Sequence, residues 1–324
     1  MAEKIHWGDH SIDGDEVFLA GFDSRPSLSE AESWCAEIAD THYENFVVTN
    51  WFTPPEMKQH IHNIYAFCRF GDDLGDDAPF DDEGRWTLLD AWQTDLAEAA
   101  RDDWSGSPRH PILRAVQRTA REKSIPEQPF RLLIEAFKMD QRKKRYDDYA
   151  ELRSYCRHSA DPVGHLFLYV YGHDDPALRS LSDHTCTALQ LANHWQDVAR
   201  DLDQGRIYMP LSTMREHGYS LQDHQNRIVD ERWRAALKAE VDRAQSEFDA
   251  GKALWPRCDP RLAVDLMMFT MAGEAVLAAI RRQHYDTWTK RPTVSRWRRF
   301  LMLMKARRAW RRAERTRHRA KPSE

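Results

Sequence analysis

Apolar side chains recur at intervals of three and four residues through most of the chain, and this period predicts helices. In the predicted helix 56–77, Pro54 and Pro55 suit the first turn, where a missing N–H costs nothing. Ser29 and Glu32 form a capping-box pattern for the first predicted helix. No alternating strand pattern stands out. Further helices are predicted at about 85–102, 111–123, 129–139, 149–171, 175–202, 230–254, 260–285 and from 294 onward.

These elements predict an all-α fold with one domain and a layered helical core. Residues 1–26 show little periodicity and are interpreted as an irregular leader. Residues 27–300 are the predicted helical domain, and 301–324 are a basic C-terminal tail. Pro162 falls inside the predicted helix 149–171, and most Pro and Gly residues lie between helices. A chain of 324 residues is long enough to bury a large core.

Charge is unevenly distributed along the chain. Residues 290–324 contain 14 Lys or Arg against two acidic side chains, whereas the whole chain has a net charge of −5. The rest of the chain is therefore strongly acidic, which argues against nucleic acid as a partner and suits divalent cations. The N-terminal segment lacks the apolar core of a secretory signal, and no run of about 18 apolar residues is evident. These features predict a cytoplasmic protein that does not span a membrane.

A first polar stripe runs along the predicted helix 56–77, beside its apolar face. Its members are spaced four, three and four residues apart, so they stack on one side of the helix. Two more carboxylates, Asp73 and Asp77, lie next to the stripe, and four carboxylates in six residues repel one another unless a cation neutralises them. The members of the stripe are Tyr65, Arg69, Asp72 and Asp76.

A second polar stripe lies in the predicted helix 175–202, with spacings of three, four and four residues. Carboxylate and amide oxygens are the ligands that Mg²⁺ prefers, and substrate phosphate often completes its coordination. Two such stripes facing each other would hold Mg²⁺ ions and a diphosphate. Each stripe taken alone is equally well explained as a solvated helix face. The members of the second stripe are Gln190, Asn193, Asp197 and Asp201.

The order and spacing of these residues resemble the two aspartate-rich motifs of the squalene/phytoene synthase family. The first stripe matches YxxxRxxDxxxD, and the second matches QxxNxxxDxxxD followed by Gly205, Arg206 and Pro210. The resemblance covers about residues 28–300. It implies a class I isoprenoid synthase fold, all-helical with a central cavity, that binds Mg²⁺ and an isoprenoid diphosphate.

Departures from the family pattern point to its hydroxysqualene synthase branch. Relatives typically carry a Ser/Arg-rich stretch ahead of the first motif, whereas this chain has Glu44, Asn45 and Phe46. An anion thus replaces a cation that helps to hold a diphosphate. Asp161 and Pro162 likewise replace residues in the stretch that begins at Tyr155. The branch resemblance implies that presqualene diphosphate is converted to hydroxysqualene.

The resemblance also implies roles for individual residues. Ring faces near the motifs would stabilise a carbocation through cation–π attraction, although aromatic residues in a helical core are more often simple packing. The implied metal ligands are Asp72, Asp76, Asn193, Asp197 and Asp201. The implied catalytic residues are these five with Tyr65, Arg69 and Tyr155. The implied substrate-binding residues are Arg69, Gln190, Arg200, Arg206, Phe46 and Phe70.

Two other functions stay open at this point. The first is head-to-head condensation of prenyl diphosphates to presqualene diphosphate, squalene or phytoene. The second is a catalytically silent helical protein that binds prenyl lipids or a membrane, which the intact aspartates argue against. No feature indicates the oligomeric state.

The basic tail has two interpretations. Trp297, Leu301 and Met304 can share one helix face that Arg residues flank, which is typical of an interfacial helix on anionic lipid. Such a helix would place the enzyme on the inner face of the membrane. The alternative is a final core helix followed by a disordered basic end.

Overall fold

The structure is a computed structural model that describes residues 27–41, 53–295, 301–302 and 304–311. The predicted leader 1–26, together with Glu44, Asn45, Phe46 and Trp297, lies outside the described residues. The helices are α1 (Leu28–Thr41), α2 (Pro55–Asp76), α3 (Asp82–Trp104), α4 (Pro111–Lys123), α5 (Gln128–Arg142), α6 (Tyr149–Ser159), α7 (Asp161–Val170), α8 (Pro176–Asp203), α9 (Leu211–Glu216), α10 (Leu221–Gln225), α11 (Glu231–Gly251) and α12 (Pro260–Arg282).

The described residues confirm the all-α prediction. They contain no strand, and Arg145 and Ile207 form only an isolated bridge. A short 3₁₀ helix, Lys252–Arg257, follows α11, and residues 301–302 and 304–311 are helical. Helix starts fall close to the predicted positions. At several of them an Asp side chain accepts hydrogen bonds from the first helical N–H groups and so stabilises the start of the helix. These N-cap residues include Asp81, Asp148, Asp175, Asp230 and Asp259.

Two local predictions were wrong. The capping box of α1 is formed by Ser27 and Glu30, two residues earlier than predicted: the Ser27 N–H donates to the Glu30 carboxylate at 2.7 Å. Glu32 instead accepts from the Arg118 guanidinium at 2.6 Å. The predicted helix 149–171 is two helices, α6 and α7. Pro162 is the second residue of α7, where its missing N–H leaves no helical bond unmade.

The described residues group into two compact units. The first unit comprises those up to Arg142 together with His165–His173. The second comprises Lys143–Gly164 and those from Asp174 onward.

Stacked aromatic rings fill the core of the first unit. Phe67 and Trp92 lie 5.3 Å apart between ring centroids, and the Phe130 ring meets Phe67 edge-on at 5.1 Å. All three side chains are completely buried. Burying rings of this size supplies much of the hydrophobic stabilisation of a helical core. This core fixes α2, whose opposite face carries the first polar stripe.

Helix α8 is the centre of the second unit, where it packs against α6, α11 and α12. Gly251 allows a close approach, since a Cβ there would lie 2.2 Å from Thr185 Oγ1 and 3.0 Å from the Thr185 nitrogen. Trp195 and Trp233 are completely buried in this unit. The long α8 is thus held along its length by packing, which positions the second polar stripe.

Among the described residues, one helix, α12, is long and apolar enough to cross a membrane by length and composition. Its most apolar stretch has a mean hydropathy of 1.7 and is 56% buried within the protein. A buried core helix meets the same criterion.

Candidate active site

Arg69 is the centre of the first motif. Its guanidinium forms an ion pair with the buried Asp73 and lies 3.5 Å from Asp72 and 3.5 Å from Asp77. Helical spacing of three and four residues places Asp72 and Asp73 within its reach. One cation therefore serves three carboxylates, and the motif keeps an excess of negative charge. The predicted stripe is confirmed as one continuous helical face of α2.

The pKa of Asp72 is raised to about 7 by desolvation and by the negative charges of Asp76, Asp73 and Asp140. The Asp72 side chain is 49% exposed to solvent. Arg69 opposes the shift but does not cancel it. An unbalanced set of carboxylates of this kind is typical of a functional site and attracts a divalent cation.

The carboxyl end of α2 is fixed from α5 and α3. Gln141 Nε2 donates to the Gly75 carbonyl at 3.1 Å, and Arg85 donates to the same oxygen at 3.3 Å. Phe70 packs against Trp92 and His110, with ring centroids 4.9 and 4.4 Å apart. Phe70, a predicted substrate contact, therefore lies in the aromatic core of the first unit. Tyr65 is half-buried, and burial raises its pKa.

The second motif lies on α8 and contains a break in the helix. Asp197 has φ −108° and ψ 16°, outside the helical range, so the ladder is interrupted at a predicted metal ligand. After the helix, Gly205 adopts φ +75°, a left-handed conformation that glycine adopts without strain. This reversal lets the Arg206 N–H donate to the Asp201 carbonyl at 2.8 Å. The Gly-Arg pair of the motif thus ends the helix directly after its last carboxylate.

Asp197 is held by a guanidinium that the sequence pattern did not single out. Arg291 Nε donates to Oδ1 at 2.5 Å, and its NH2 donates to Oδ2 at 2.9 Å. Arg200, a predicted diphosphate contact, lies 3.9 Å from Oδ1 with 68% of its side chain exposed. The paired geometry makes Arg291 the dominant partner of this carboxylate.

Tyr155, Gln190 and His194 gather beside the second motif. His194 stacks on Tyr208 with ring centroids 3.7 Å apart, and the Tyr155 ring lies 6.2 Å from it. Burial and the positive charge of Arg206 lower the pKa of His194 to about 3, so its imidazole is neutral. Nε2 of His194 lies 3.3 Å from Nε2 of Gln190. The structure therefore brings predicted residues of α6 and α8 together around a neutral imidazole.

The donor atoms of both motifs fit Mg²⁺. The described part of the chain contains no group of three or more His, Cys, Asp or Glu side chains already arranged around a metal position. Mg²⁺ is usually bound through only one or two protein carboxylates, with water and substrate phosphate completing its coordination. Asp72 and Asp76 on α2, and Asn193, Asp197 and Asp201 on α8, supply oxygens of that kind.

Two residues near the second motif escaped the sequence analysis. His194 lies within the motif, between Asn193 and Asp197, but its apolar surroundings are a property of the fold. Arg291 entered the analysis only as one charge of the basic tail. Its position before Pro292, in a Lys-Arg-Pro sequence, was the one available signal, because an Arg before a proline is restricted to extended conformations.

The described residues are helical, with two carboxylate motifs on separate helices, which agrees with the fold of a class I isoprenoid synthase. The squalene/phytoene synthase family profile matches residues 39–298. The chain therefore belongs to the squalene/phytoene synthase family, whose members are enzymes that act on isoprenoid diphosphates. The predicted family and fold class are confirmed.

Known proteins of the family show different degrees of similarity. The chain is 30% identical over 298 residues to 15-cis-phytoene synthase of Synechococcus elongatus, covering 86% of this chain and 92% of that protein. The crystal structure of squalene synthase HpnC from Alicyclobacillus acidocaldarius is 44% identical with a TM-score of 0.74, covering 80% of this chain and 96% of that one. The crystal structure of a dehydrosqualene synthase in complex with ligand shares the fold, with a TM-score of 0.78 and 20% identity. The match covers 86% of this chain and 96% of that one.

Proposed function

We propose that this enzyme converts presqualene diphosphate to hydroxysqualene with loss of diphosphate, in a Mg²⁺-dependent reaction. The observation that carries the proposal is the pair of intact carboxylate motifs on α2 and α8. Among their residues, Asp72 has a pKa raised by desolvation and by neighbouring carboxylates, which Arg69 does not fully offset. The 44% identity to squalene synthase HpnC supports it. In the sequence, Glu44 stands where relatives carry a cation that helps to hold a diphosphate. This difference supports presqualene diphosphate, and not farnesyl diphosphate, as the substrate.

The proposed reaction is a substitution by water. The C–O bond to the diphosphate breaks and both electrons leave with that group. The resulting cyclopropylcarbinyl cation rearranges, water adds to it, and a proton is lost to give the alcohol. Bound Mg²⁺ would neutralise the charge that develops on the leaving diphosphate. Arg69, Arg200 and Arg206 would contact that diphosphate, and Tyr155 would present its ring to the cation.

The decisive experiment offers purified enzyme either presqualene diphosphate or farnesyl diphosphate, with and without Mg²⁺, and identifies the lipid product. We expect hydroxysqualene from presqualene diphosphate, only with Mg²⁺, and little turnover of farnesyl diphosphate. Like charge from Glu44 weakens binding of the second diphosphate that a condensation needs. Efficient formation of a C30 or C40 product from farnesyl diphosphate alone would assign the chain to the condensing branch.

Variants test the two motifs separately. Asp72→Asn and Asp197→Asn should each lower turnover by roughly a hundredfold or more, because each removes a charged ligand without changing side-chain size. Asp203→Asn is the matched control on α8. Its carboxylate is exposed, pairs with Arg227 and lies outside the motif. Near-normal rates in both motif variants, with the circular dichroism of wild type, would contradict the metal role.

We also propose that the enzyme docks on anionic membrane through residues 301–311, on its cytoplasmic side. Beside α12 there is an apolar groove of about 590 Å³. Lys305 and Arg308 are among the residues that line it, and Leu301 is 43% exposed. Exposed apolar side chains next to basic ones are typical of an interfacial helix, and the water-insoluble product would leave into a bilayer. The groove is lined by Met271, Glu274, Ala275, Leu301, Met302, Met304, Lys305 and Arg308.

A further inference from the structure

Both oxygens of the Asp197 carboxylate are engaged by one side chain, that of Arg291. The two hydrogen bonds are 2.5 and 2.9 Å long, in the parallel arrangement that makes Arg–carboxylate pairs strong. The side chains are 28% and 19% exposed, so solvent screens the pair only in part. Asp197 is one of the residues that the proposed function assigns to Mg²⁺.

The segment that carries Arg291 is anchored on both sides. Before it, Trp288 is buried against His224 and Trp233, with ring centroids 4.8 and 5.3 Å away. After it, the Pro292 carbonyl accepts a hydrogen bond of 2.7 Å from the buried side chain of Gln196, the neighbour of Asp197 on α8. We call residues 288–292 the strap. The anchored backbone of the strap places the Arg291 guanidinium against the Asp197 carboxylate, at the break in α8.

We propose that Arg291 is a positioning residue that holds Asp197 and competes with the divalent cation for the same carboxylate. The inference rests on the proposed function, which makes Asp197 a Mg²⁺ ligand. A guanidinium and a dication repel each other strongly at contact distance in a partly buried site. Loading of the cation therefore requires that the ion pair be weakened or broken. Arg200 contributes little to this competition because it is largely exposed.

The opposite role makes the opposite prediction. If Arg291 merely oriented Asp197 for the cation, removing it would weaken cation binding, as the loss of a supporting residue usually does. If Arg291 competes, removing it must tighten cation binding. The sign of the change in Mg²⁺ affinity therefore separates competition from support, and no assay of catalysis is needed.

The test is calorimetric titration of the full-length protein with Mg²⁺ alone, without diphosphate. We expect Arg291→Gln to lower the Kd for Mg²⁺ roughly three- to tenfold, the size of a partly screened charge-assisted pair. Arg291→Lys, which keeps the charge but loses the paired geometry, should lie between Arg291→Gln and wild type. Lys290→Gln is the matched control. It removes an exposed charge from the same strap and should change the Kd by less than about twofold.

Thermal unfolding supplies a second readout. Without Mg²⁺, Arg291→Gln should melt below wild type because the ion pair is lost. With saturating Mg²⁺ the two melting temperatures should converge, since wild type must then give up the same pair.

An unchanged or higher Kd in Arg291→Gln would overturn the competition while leaving the metal role of Asp197 intact. Asp197→Asn distinguishes the two failures. If Asp197→Asn binds Mg²⁺ as wild type does, or if neither wild type nor Arg291→Gln binds Mg²⁺, the assignment of Asp197 as a ligand is wrong and the competition is wrong with it.

Discussion

His110 is a single residue that joins a helix cap to the aromatic core of the first unit. Its Nδ1 accepts a hydrogen bond of 3.2 Å from the Ile112 N–H at the start of α4. The backbone N–H of His110 donates at 2.8 Å to the Asp95 carboxylate. Burial lowers the pKa of His110 to about 3. The cap therefore needs the neutral imidazole, and protonation would remove the acceptor and place a charge among aromatic rings.

The pKa of His110 in the folded protein lies below the ordinary histidine value of 6.5, so between pH 6.5 and about 3 the unfolded chain binds a proton that the folded chain does not. Stability should fall as the pH is lowered through this window, by up to about 1.4 kcal/mol per pH unit from this residue. Asn keeps a capping oxygen but does not titrate. We expect His110→Asn to flatten the dependence of the unfolding free energy on pH, although its absolute stability is lower.

Urea unfolding at several pH values between 4 and 7.5 measures this slope. His284→Asn is the control, because His284 is exposed and Asn tolerates its left-handed backbone. Equal slopes for wild type and His110→Asn would show that His110 does not carry this pH dependence. Asp95 is present in both proteins, so its own titration cancels in the comparison.

Single residues also mark where sequence reasoning stopped. The spacing of Asp72, Asp197 and their neighbours identified both motifs, because a helix converts spacing directly into a shared face. The partner of Asp197 could not be found in this way. Arg291 is 94 residues away, and no local period connects the two positions.

At the scale of elements, the contact of α2 with α5 depends on two glycines one helical turn apart. A Cβ at Gly71 would lie 2.5 Å from Cε2 of the Phe137 ring, too close for any real contact. At Gly75 it would lie 3.2 Å from Nε2 of Gln141, the end of a flexible side chain. The same substitution should therefore have different effects at the two positions.

We expect Gly71→Ala to lower the free energy of unfolding by about 1–3 kcal/mol, because the half-buried Phe137 ring must be displaced from its contact with α2. Gly75→Ala should be close to neutral, since the gain in helix propensity of about 1 kcal/mol offsets a small shift of Gln141. Chemical denaturation of both variants checks the difference. If both variants lost the same free energy of unfolding, the close contact of Gly71 with Phe137 would not be what restricts the packing of α2 against α5.

The elements were largely predictable from local patterns, and the exceptions have local causes. Long helices can be predicted because apolar residues repeat over several turns. Helices α9 and α10 have only six and five residues, which is too short for such a repeat to be recognised. Pro162 is compatible with a helix start as well as with a kink, and only the fold shows that α7 begins beside it.

At the scale of the whole molecule, the basic residues of the described tail present charge next to the apolar groove beside α12. Arg307, Arg308 and Arg311 are all exposed. Each basic side chain near an anionic surface is worth about 1 kcal/mol, so the triple change to Gln should weaken partitioning onto anionic vesicles by roughly a hundredfold. The attraction should fade as the salt concentration rises.

Co-sedimentation with anionic and with neutral vesicles measures this binding. The control protein carries Gln at Lys58, Arg121 and Arg257, three exposed positions that give the same change in net charge. We expect the control to bind anionic vesicles as wild type does, and neutral vesicles to bind all three proteins weakly. Equal loss in both triple variants would show that net charge, and not the tail, governs the interaction.

The grouping of helices into two units lies beyond what periodicity records. Periodic apolar positions show which face of a helix is buried, but not which helix covers it. The packing of α8 against α11 and α12 joins segments that are far apart along the chain. The sequence alone does not show that Gly251 lies against Thr185, so the need for a glycine at position 251 can be explained only from the structure.

The strap also has a consequence for the order in which the chain is made. Synthesis runs from the N-terminus, and early segments begin to fold before later ones exist. Asp197 leaves the ribosome 94 residues ahead of Arg291, so the nascent helix α8 has its carboxylate before it has its counter-ion. Any fragment that stops short of the strap exposes the same acidic position permanently, along with the aromatic pocket that Trp288 fills.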